Sequence, residues 1–231
     1  MPPSVSIIIP TCNEGKFIER TLKSIQHQLE EGDEIIIVDY NSKDDTIDIC
    51  KRYGCKTLIF PEKGVGKARN HGVENAETEI IAFLDADVMA HKSWLKLIKK
   101  FFEDKPNTPV VCGCDLYLAD SIFKRAIYNM YSILIFYMIK IAYIGTKIPC
   151  IVANNSAFSK EAYLEHGGYP TTIGDEVGIA RNFKGVKDII YDSDVKVYLS
   201  DRRFTERGFL TILGIWARGS VRAIFGQQFS G

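Results

Sequence analysis

The chain has 231 residues, 46% apolar and 25% charged, the balance of a globular protein with room for one large domain. Lysine plus arginine and aspartate plus glutamate number 29 each, so no net charge favours a nucleic-acid partner. The six cysteines, Cys12, Cys50, Cys55, Cys112, Cys114 and Cys150, form no Cys-x-x-Cys pair and lack histidines at zinc-ligand spacing, which argues for reduced, mostly buried thiols in a cytosolic protein.

Met1-Pro2-Pro3 leads straight into an apolar run, Val5 to Ile9, which leaves no room for a signal peptide. That run reads as a buried strand ended by Pro10-Thr11-Cys12-Asn13-Glu14-Gly15. Phe17, Ile18, Thr21, Leu22, Ile25 and Leu29 fall on one face of a helix that Gly32 and Asp33 are expected to end. Ile35 to Val38 is the next strand, and it stops on Asp39. Asn41-Ser42-Lys43-Asp44-Asp45 is turn and capping chemistry before a short helix ending at Gly54. Lys56 to Phe60 reads as a third strand, and Gly64 to Asn70 opens a third helix, running to about Ala76. The Gly-x-Gly within it follows its strand at the wrong distance for a dinucleotide fingerprint.

Ile80 to Leu84 is the most informative strand. It is apolar throughout, as in a parallel sheet buried on both faces, and it ends on Asp85-Ala86-Asp87. Ligands of open α/β sheets lie beyond the carboxyl ends of the strands, and two acids on a short turn suit a hard divalent cation bridging to phosphate. Strand and helix alternate four times to this point, which predicts a Rossmann-like, mostly parallel sheet with helices on both faces.

Beyond Val88 the pattern predicts an amphipathic helix over about Ser93 to Glu103 and a strand at Val110 to Gly113. Ala126 to Gly145 is about a bilayer's length and nearly all apolar or aromatic, interrupted by Asn129, Ser132 and Lys140. A core helix, a helix lying in a membrane interface, an oligomer interface and a true span are all compatible with it. Ile151 to Phe158 leads into a short helix that ends at His166-Gly167-Gly168-Tyr169-Pro170. Gly174-Asp175-Glu176 precedes a helix carrying Arg181, and Lys196 to Leu199 reads as the last strand, followed by Ser200-Asp201-Arg202-Arg203. The tail from Phe209 to Phe229 is apolar, with Arg218 and Arg222.

Four segments, in order, resemble the family 2 glycosyltransferases of the GT-A fold. They are Val5 to Glu14; Ile36 to Thr46; Gly66-Lys67-Ala68-Arg69-Asn70 with Phe83 to Asp87; and Asn154 to Phe158 through Gly167-Gly168-Tyr169 to Gly174-Asp175-Glu176 and Arg181. The resemblance covers about residues 4 to 205. It implies a single catalytic domain, with residues 1–88 as a nucleotide-binding half, 89–205 as an acceptor half and 206–231 as a helical tail that could touch a membrane. It further implies inverting transfer from a UDP- or GDP-linked sugar to a hydroxyl of a glycan or lipid-linked glycan.

On this reading the nucleotide sugar meets Pro10, Thr11, Glu14, Asp39, Arg69, Asp85, Ala86, Arg202 and Arg203. Asp39 accepts from the imino N–H of the base, and Asp85 holds the ribose or a metal-bound water. Asp87 ligates Mg²⁺ or Mn²⁺ at the leaving diphosphate. The family's usual Glu-Asp pair is inverted here to Asp175-Glu176. Spacing to Arg181 puts the catalytic base on Glu176, with Asp175 one residue away. A polyprenyl-phosphate acceptor would need no such base. A glycan- or membrane-binding module without catalysis is the non-enzyme alternative, and a nucleotidyltransferase would want a Gly-rich basic loop after the first strand that residues 10–15 do not supply. The expected location is the cytoplasmic face of a membrane, with peripheral contact and no nucleic-acid partner.

Overall fold

The structure, a computed structural model, describes residues 2–170 and 175–200, excluding the side chains of residues 175–177. The first elements are Val5–Thr11 (β1), Ile18–Gln26 (α1), Glu34–Asp39 (β2), Thr46–Arg52 (α2), Lys56–Ile59 (β3), Val65–Glu74 (α3) and Ile80–Leu84 (β4). Met89–Ala90 (β5), Trp94–Asp104 (α4), Val110–Leu118 (β6) and Ile122–Thr146 (α5) follow. The described chain closes with Asn155–Ser159 (β7), Lys160–Glu165 (α6), Asp175–Asn182 (α7) and Ile190–Ser200 (β8).

The strands form one sheet in the order β3-β2-β1-β4-β7-β6-β8-β5. β3, β2, β1 and β4 run parallel, as their continuous apolar runs predict. Alternate residues point to opposite faces. Ile7, Ile9, Ile35, Ile37, Ala82 and Leu84 pack against α1, α2 and α4, while Ile8, Ile36, Val38, Ile81 and Phe83 pack against α3 and the later helices α5, α6 and α7. Two separate apolar clusters result, one on each face.

The sheet is mostly parallel, as expected, with two strands reversed. β7 lies antiparallel between β4 and β6, and β5 pairs antiparallel with β8. β6 and β8 are parallel to each other, so both run in the direction of β4. β7, Asn-Ser-Ala-Phe-Ser, is polar enough to hide as a strand, and β5 is too short to show a period. β6 continues past Gly113 to Leu118, and β8 begins six residues before Lys196. α1 ends at Gln26, short of Gly32, because the Gln28 amide donates to Ser24 O and His91 O and turns the chain away.

α5 is not a core helix: among its described residues only Phe136 and Tyr143 are buried. Nor is it free to span a bilayer, because one stripe along its length is bound to the domain. Asn129 Oδ1 accepts from Tyr117 N at 2.6 Å, Ser132 Oγ donates to Asp115 O, and Tyr143 OH donates to Val186 O at 2.8 Å. Two of the three polar interruptions in the apolar run, Asn129 and Ser132, therefore fasten it to the sheet.

Candidate functional site

The carboxyl ends of β1, β2, β4, β6 and β8 share one edge of the sheet, and β7, running oppositely, brings its amino end to the same edge. Thr11, Asp39, Asp85, Asn154 and Asp115 therefore converge there from strands distant in sequence.

At the end of β1 and β2, Thr11 Oγ1 donates to Asp39 Oδ1 at 2.7 Å. Asp39 also accepts from the Ser42 amide at 2.7 Å and the Ser42 hydroxyl at 2.6 Å, and it is fully buried. Three of the roughly four lone-pair positions of this carboxylate are used by the chain itself. Asp39, which the sequence reading makes an acceptor for the base imino N–H, also shapes two loops of the chain itself. Those loops are stitched further by Asn13 N to Ser42 Oγ and Lys43 N to Asn13 Oδ1, both 2.8 Å, and by Glu14 N to Thr46 Oγ1, also 2.8 Å. Gly15 sits where a Cβ would come within 1.9 Å of Asp45 Oδ1, so a larger residue there would have to displace that carboxylate. The Thr46 hydroxyl, with smaller help from backbone amides, holds the Asp44 carboxyl below the usual carboxylate range.

The turn after β4 carries the acids. Val88 N donates back to Asp85 O at 3.2 Å, and α1 pins the turn from below: Thr21 Oγ1 donates to Ala86 O at 2.8 Å and Arg20 Nη2 to Asp87 O at 3.3 Å. Pro10 and Glu14 are half-buried and Ala86 is buried, while Asp85 and Asp87 keep partial exposure at the edge. Asp85 Oδ1 is 2.7 Å from Nη2 of Arg69, which α3 delivers from behind the sheet with 3% of its side chain exposed. The guanidinium lies 5.2 Å from the centroid of the Tyr169 ring and 5.9 Å from that of Phe83, an aromatic cradle that shields the arginine from water. One carboxylate oxygen of Asp85 is thereby fixed, two residues before Asp87. Among the described residues no three acidic, histidine or cysteine side chains gather as a metal cage. Two carboxylates at a strand end suit Mg²⁺ or Mn²⁺, which take the rest of their oxygen ligands from substrate phosphates and water.

The Gly167-Gly168-Tyr169 segment closes the site from the other side. Asn70, the residue after Arg69, accepts from Tyr163 OH at 2.6 Å and Tyr169 N at 3.0 Å and donates to Tyr169 O at 2.8 Å. Gly168 has φ of +58°, and a Cβ there would lie 2.6 Å from Tyr163 Cε1. Asn182 on α7 donates to Gly168 O at 2.9 Å, which anchors that helix beside the loop. Asp175 and Glu176 occupy the first turn of α7, where the helix dipole favours a carboxylate, and Arg181 its last. Their side chains, Arg202, Arg203 and the tail at 206–231 lie outside the described residues.

Asp115 escaped sequence reasoning, and Asn154 and Asn155 entered it only within the Asn154 to Phe158 segment, with no role assigned. Asn155 is fully buried, accepts from Trp94 Nε1 at 2.9 Å, and donates to Cys114 O at 3.2 Å, Val195 O at 3.1 Å and Asp115 Oδ1 at 3.4 Å. Asn154 donates to Asp115 Oδ2 at 3.1 Å. The signal for Asp115 was available: like Asp39 and Asp85 it follows an apolar strand run, but the strand was read as ending at Gly113.

The profile of "Glycosyl transferase family 2" matches residues 6–167. Among curated relatives, the glycosyltransferase AglE of Haloferax volcanii is 35% identical over 102 residues, 41% of this chain and 34% of AglE. The putative glycosyltransferase EpsH of Bacillus subtilis is 36% identical over 90 residues, 37% of this chain and 26% of EpsH. The chain thus spans about a third of the length of the relatives it matches. Of solved structures, residues 1–349 of S. aureus TarS with UDP-GlcNAc superpose at a TM-score of 0.66 and 19% identity, covering 85% of this chain and 58% of that fragment. The mannosyltransferase PcManGT of Pyrobaculum calidifontis, with GDP-Man and Mn²⁺, gives 0.63 at 20% identity, covering 94% and 65%. At such identities the likeness is one of fold, the GT-A fold.

Proposed function

Because the chain belongs to glycosyl transferase family 2, we propose that it is an inverting, metal-dependent enzyme that moves a sugar from a UDP- or GDP-linked donor to a hydroxyl of a glycan or lipid-linked glycan. The observation that carries this reading is the Asp85-Ala86-Asp87 turn, pinned by α1 and locked to the buried Arg69 at 2.7 Å. A structural ion pair alone gives no reason to hold a second, partly exposed acid two residues on at the ligand edge.

In the proposed site, the loops organised by Asp39 receive the nucleoside, and the strand-end turn receives the diphosphate. A divalent cation held by Asp87, with Asp85 beside it, supplies neutralisation of the charge that grows on the departing diphosphate. The acceptor oxygen attacks the anomeric carbon from the opposite face while the bond to phosphate breaks. Glu176 or Asp175, in the first turn of α7, takes the acceptor's proton. The anomeric configuration inverts because a single displacement occurs.

Release of UDP or GDP from a panel of nucleotide sugars, with and without EDTA, tests the reading. Asp87→Ala is expected to lower kcat by roughly 10³-fold with little change in folding, since the lost interaction is made mainly in the transition state. Full turnover in excess chelator would sink metal dependence. A phosphate acceptor is already anionic, so activity on polyprenyl phosphate that survives loss of both Asp175 and Glu176 would favour that acceptor class.

A further inference from the structure

α5 presents an unusual surface. Phe123, Ile127, Met130, Leu134, Met138 and Ile141 follow one another at steps of four, three, four, four and three residues and are 50–79% exposed. Such spacing makes a continuous apolar stripe on the side opposite Asn129, Ser132, Phe136 and Tyr143, which fasten the helix to the sheet. Single exposed apolar residues need no explanation, but six in one stripe over about five turns do.

Charge identifies what meets the stripe. From Ser121 to Lys147 there is no aspartate or glutamate, whereas Lys124, Arg125, Lys140 and Lys147 are all basic. Lys124 and Lys140 fall on opposite flanks of the apolar stripe by helical spacing, where long side chains lift their charges to the rim of a buried face. Two copies of this chain meeting through α5 would bring like charges together. An anionic lipid surface satisfies both the stripe and its cations. We propose that α5 lies flat in the headgroup region of an anionic membrane, with its outward stripe buried among the upper acyl chains.

The topology sets the orientation. α5 begins just after β6, whose carboxyl end shares the edge of Asp85, and its Asn129, Ser132 and Tyr143 contacts run back along β6 toward the residues before β8. The helix therefore starts at the candidate site and recedes from it. Ile122 and Phe123, 67% and 79% exposed, would enter the membrane closest to the catalytic edge. A lipid-borne acceptor would then reach the site without leaving the surface.

Co-sedimentation of the full chain with vesicles of phosphatidylcholine and phosphatidylglycerol tests this, at low salt and in about 0.5 M salt. Binding is expected at low salt and is expected to weaken at high salt. Substituting serine for Phe123, Met130 and Ile141 together should reduce partitioning at least ~tenfold, because the apolar contribution is lost while all three positions are exposed and leave the fold intact. Lys124→Gln with Lys140→Gln should cost roughly tenfold on anionic vesicles and almost nothing on phosphatidylcholine alone. As an independent readout, Phe123→Trp should gain fluorescence that brominated lipids quench. No binding to anionic vesicles, or binding untouched by the serine triple, overturns the proposal. So does a dimer by light scattering that the serine triple abolishes, which would make a second copy the occupant. Turnover on a soluble acceptor by the serine triple should equal the parent's, so failure of this proposal is distinguishable from failure of the catalytic reading.

Discussion

The two halves of the sheet are held together by different interactions. In β3-β2-β1-β4 the interior is almost entirely aliphatic, with Ile7, Ile8, Ile9, Ile36, Ile37 and Ile81 fully buried between helices on both faces. In β7-β6-β8-β5 the strands are joined around a polar knot in which the single Asn155 side chain meets Trp94, two backbone carbonyls and Asp115. Gly113 leaves room for it: a Cβ there would sit 2.2 Å from Val195 O and 2.4 Å from Asn155 Nδ2. Aliphatic packing tolerates shape changes that a buried hydrogen-bond network does not. The parallel half offers a sturdy frame for Asp39 and Asp85, while the mixed half positions Asp115 and Asn154 through a few directional bonds.

Asn155→Leu should show the contrast most strongly. It strands the Trp94 N–H and two carbonyls in a dry interior, at about 1–3 kcal/mol for each orphan that fails to find water, so about 4 kcal/mol is expected in urea unfolding. Ile9→Val, a deletion of one buried methyl group in the parallel half, should cost about 1 kcal/mol. Equal losses for the two variants would erase the distinction.

The next test lies within the parallel half. Asp39→Ala should raise the donor KM ~100-fold with a much smaller fall in kcat, because contacts that shape the nucleotide loops act alike in ground and transition states. Steady-state kinetics at saturating acceptor separates the two parameters. An unchanged KM would confine Asp39 to the architecture seen in its bonds to Thr11 and Ser42. In the mixed half, Gly168→Ala should cost roughly 2 kcal/mol, since the site requires positive φ and crowds Tyr163 and Asn70.

Legibility in the sequence follows the same divide. β1, β2 and β4 are continuous apolar runs and β1, β2 and β3 are each followed by a helix, so the strand order and the carboxylates closing β2 and following β4 could be read from residues alone. β7 could not, because buried Asn155 and Ser156 look like loop chemistry until the long-range partners are known. β8 could be read only in part, since Asp192, Ser193 and Asp194 break its pattern and local composition carries no trace of its pairing with β6. Arg69 was legible as a site residue, but its burial against Tyr169, one hundred positions later, was not. Asp39 was legible as a strand-end carboxylate, but its burial under the Ser42 turn was not.

The smallest expected effect is in the thiols, and it asks whether the halves also open separately. Cys12 is exposed and Cys150 half-buried, whereas Cys50, Cys55, Cys112 and Cys114 are buried. Burial pushes the thiols of Cys50, Cys55 and Cys114 up to about 12, and that of Cys112 upward as well. These groups stay protonated through neutral and mildly alkaline solution, and only the thiolate reacts. With N-ethylmaleimide the folded protein should therefore label quickly at Cys12, slowly at Cys150 and negligibly elsewhere, and raising the pH from about 7 to about 9 should not recruit the other four. Cys50 and Cys55 report on the parallel half, Cys112 and Cys114 on the mixed half. In mild urea the Asn155→Leu variant should expose Cys112 and Cys114 before Cys50 and Cys55, because local opening draws on the weakened network and leaves the aliphatic frame closed. Peptide mapping by mass spectrometry at successive urea concentrations follows each thiol. Simultaneous labelling of all four would mean that one cooperative unit spans the whole sheet, and the difference between its halves would then be of composition alone.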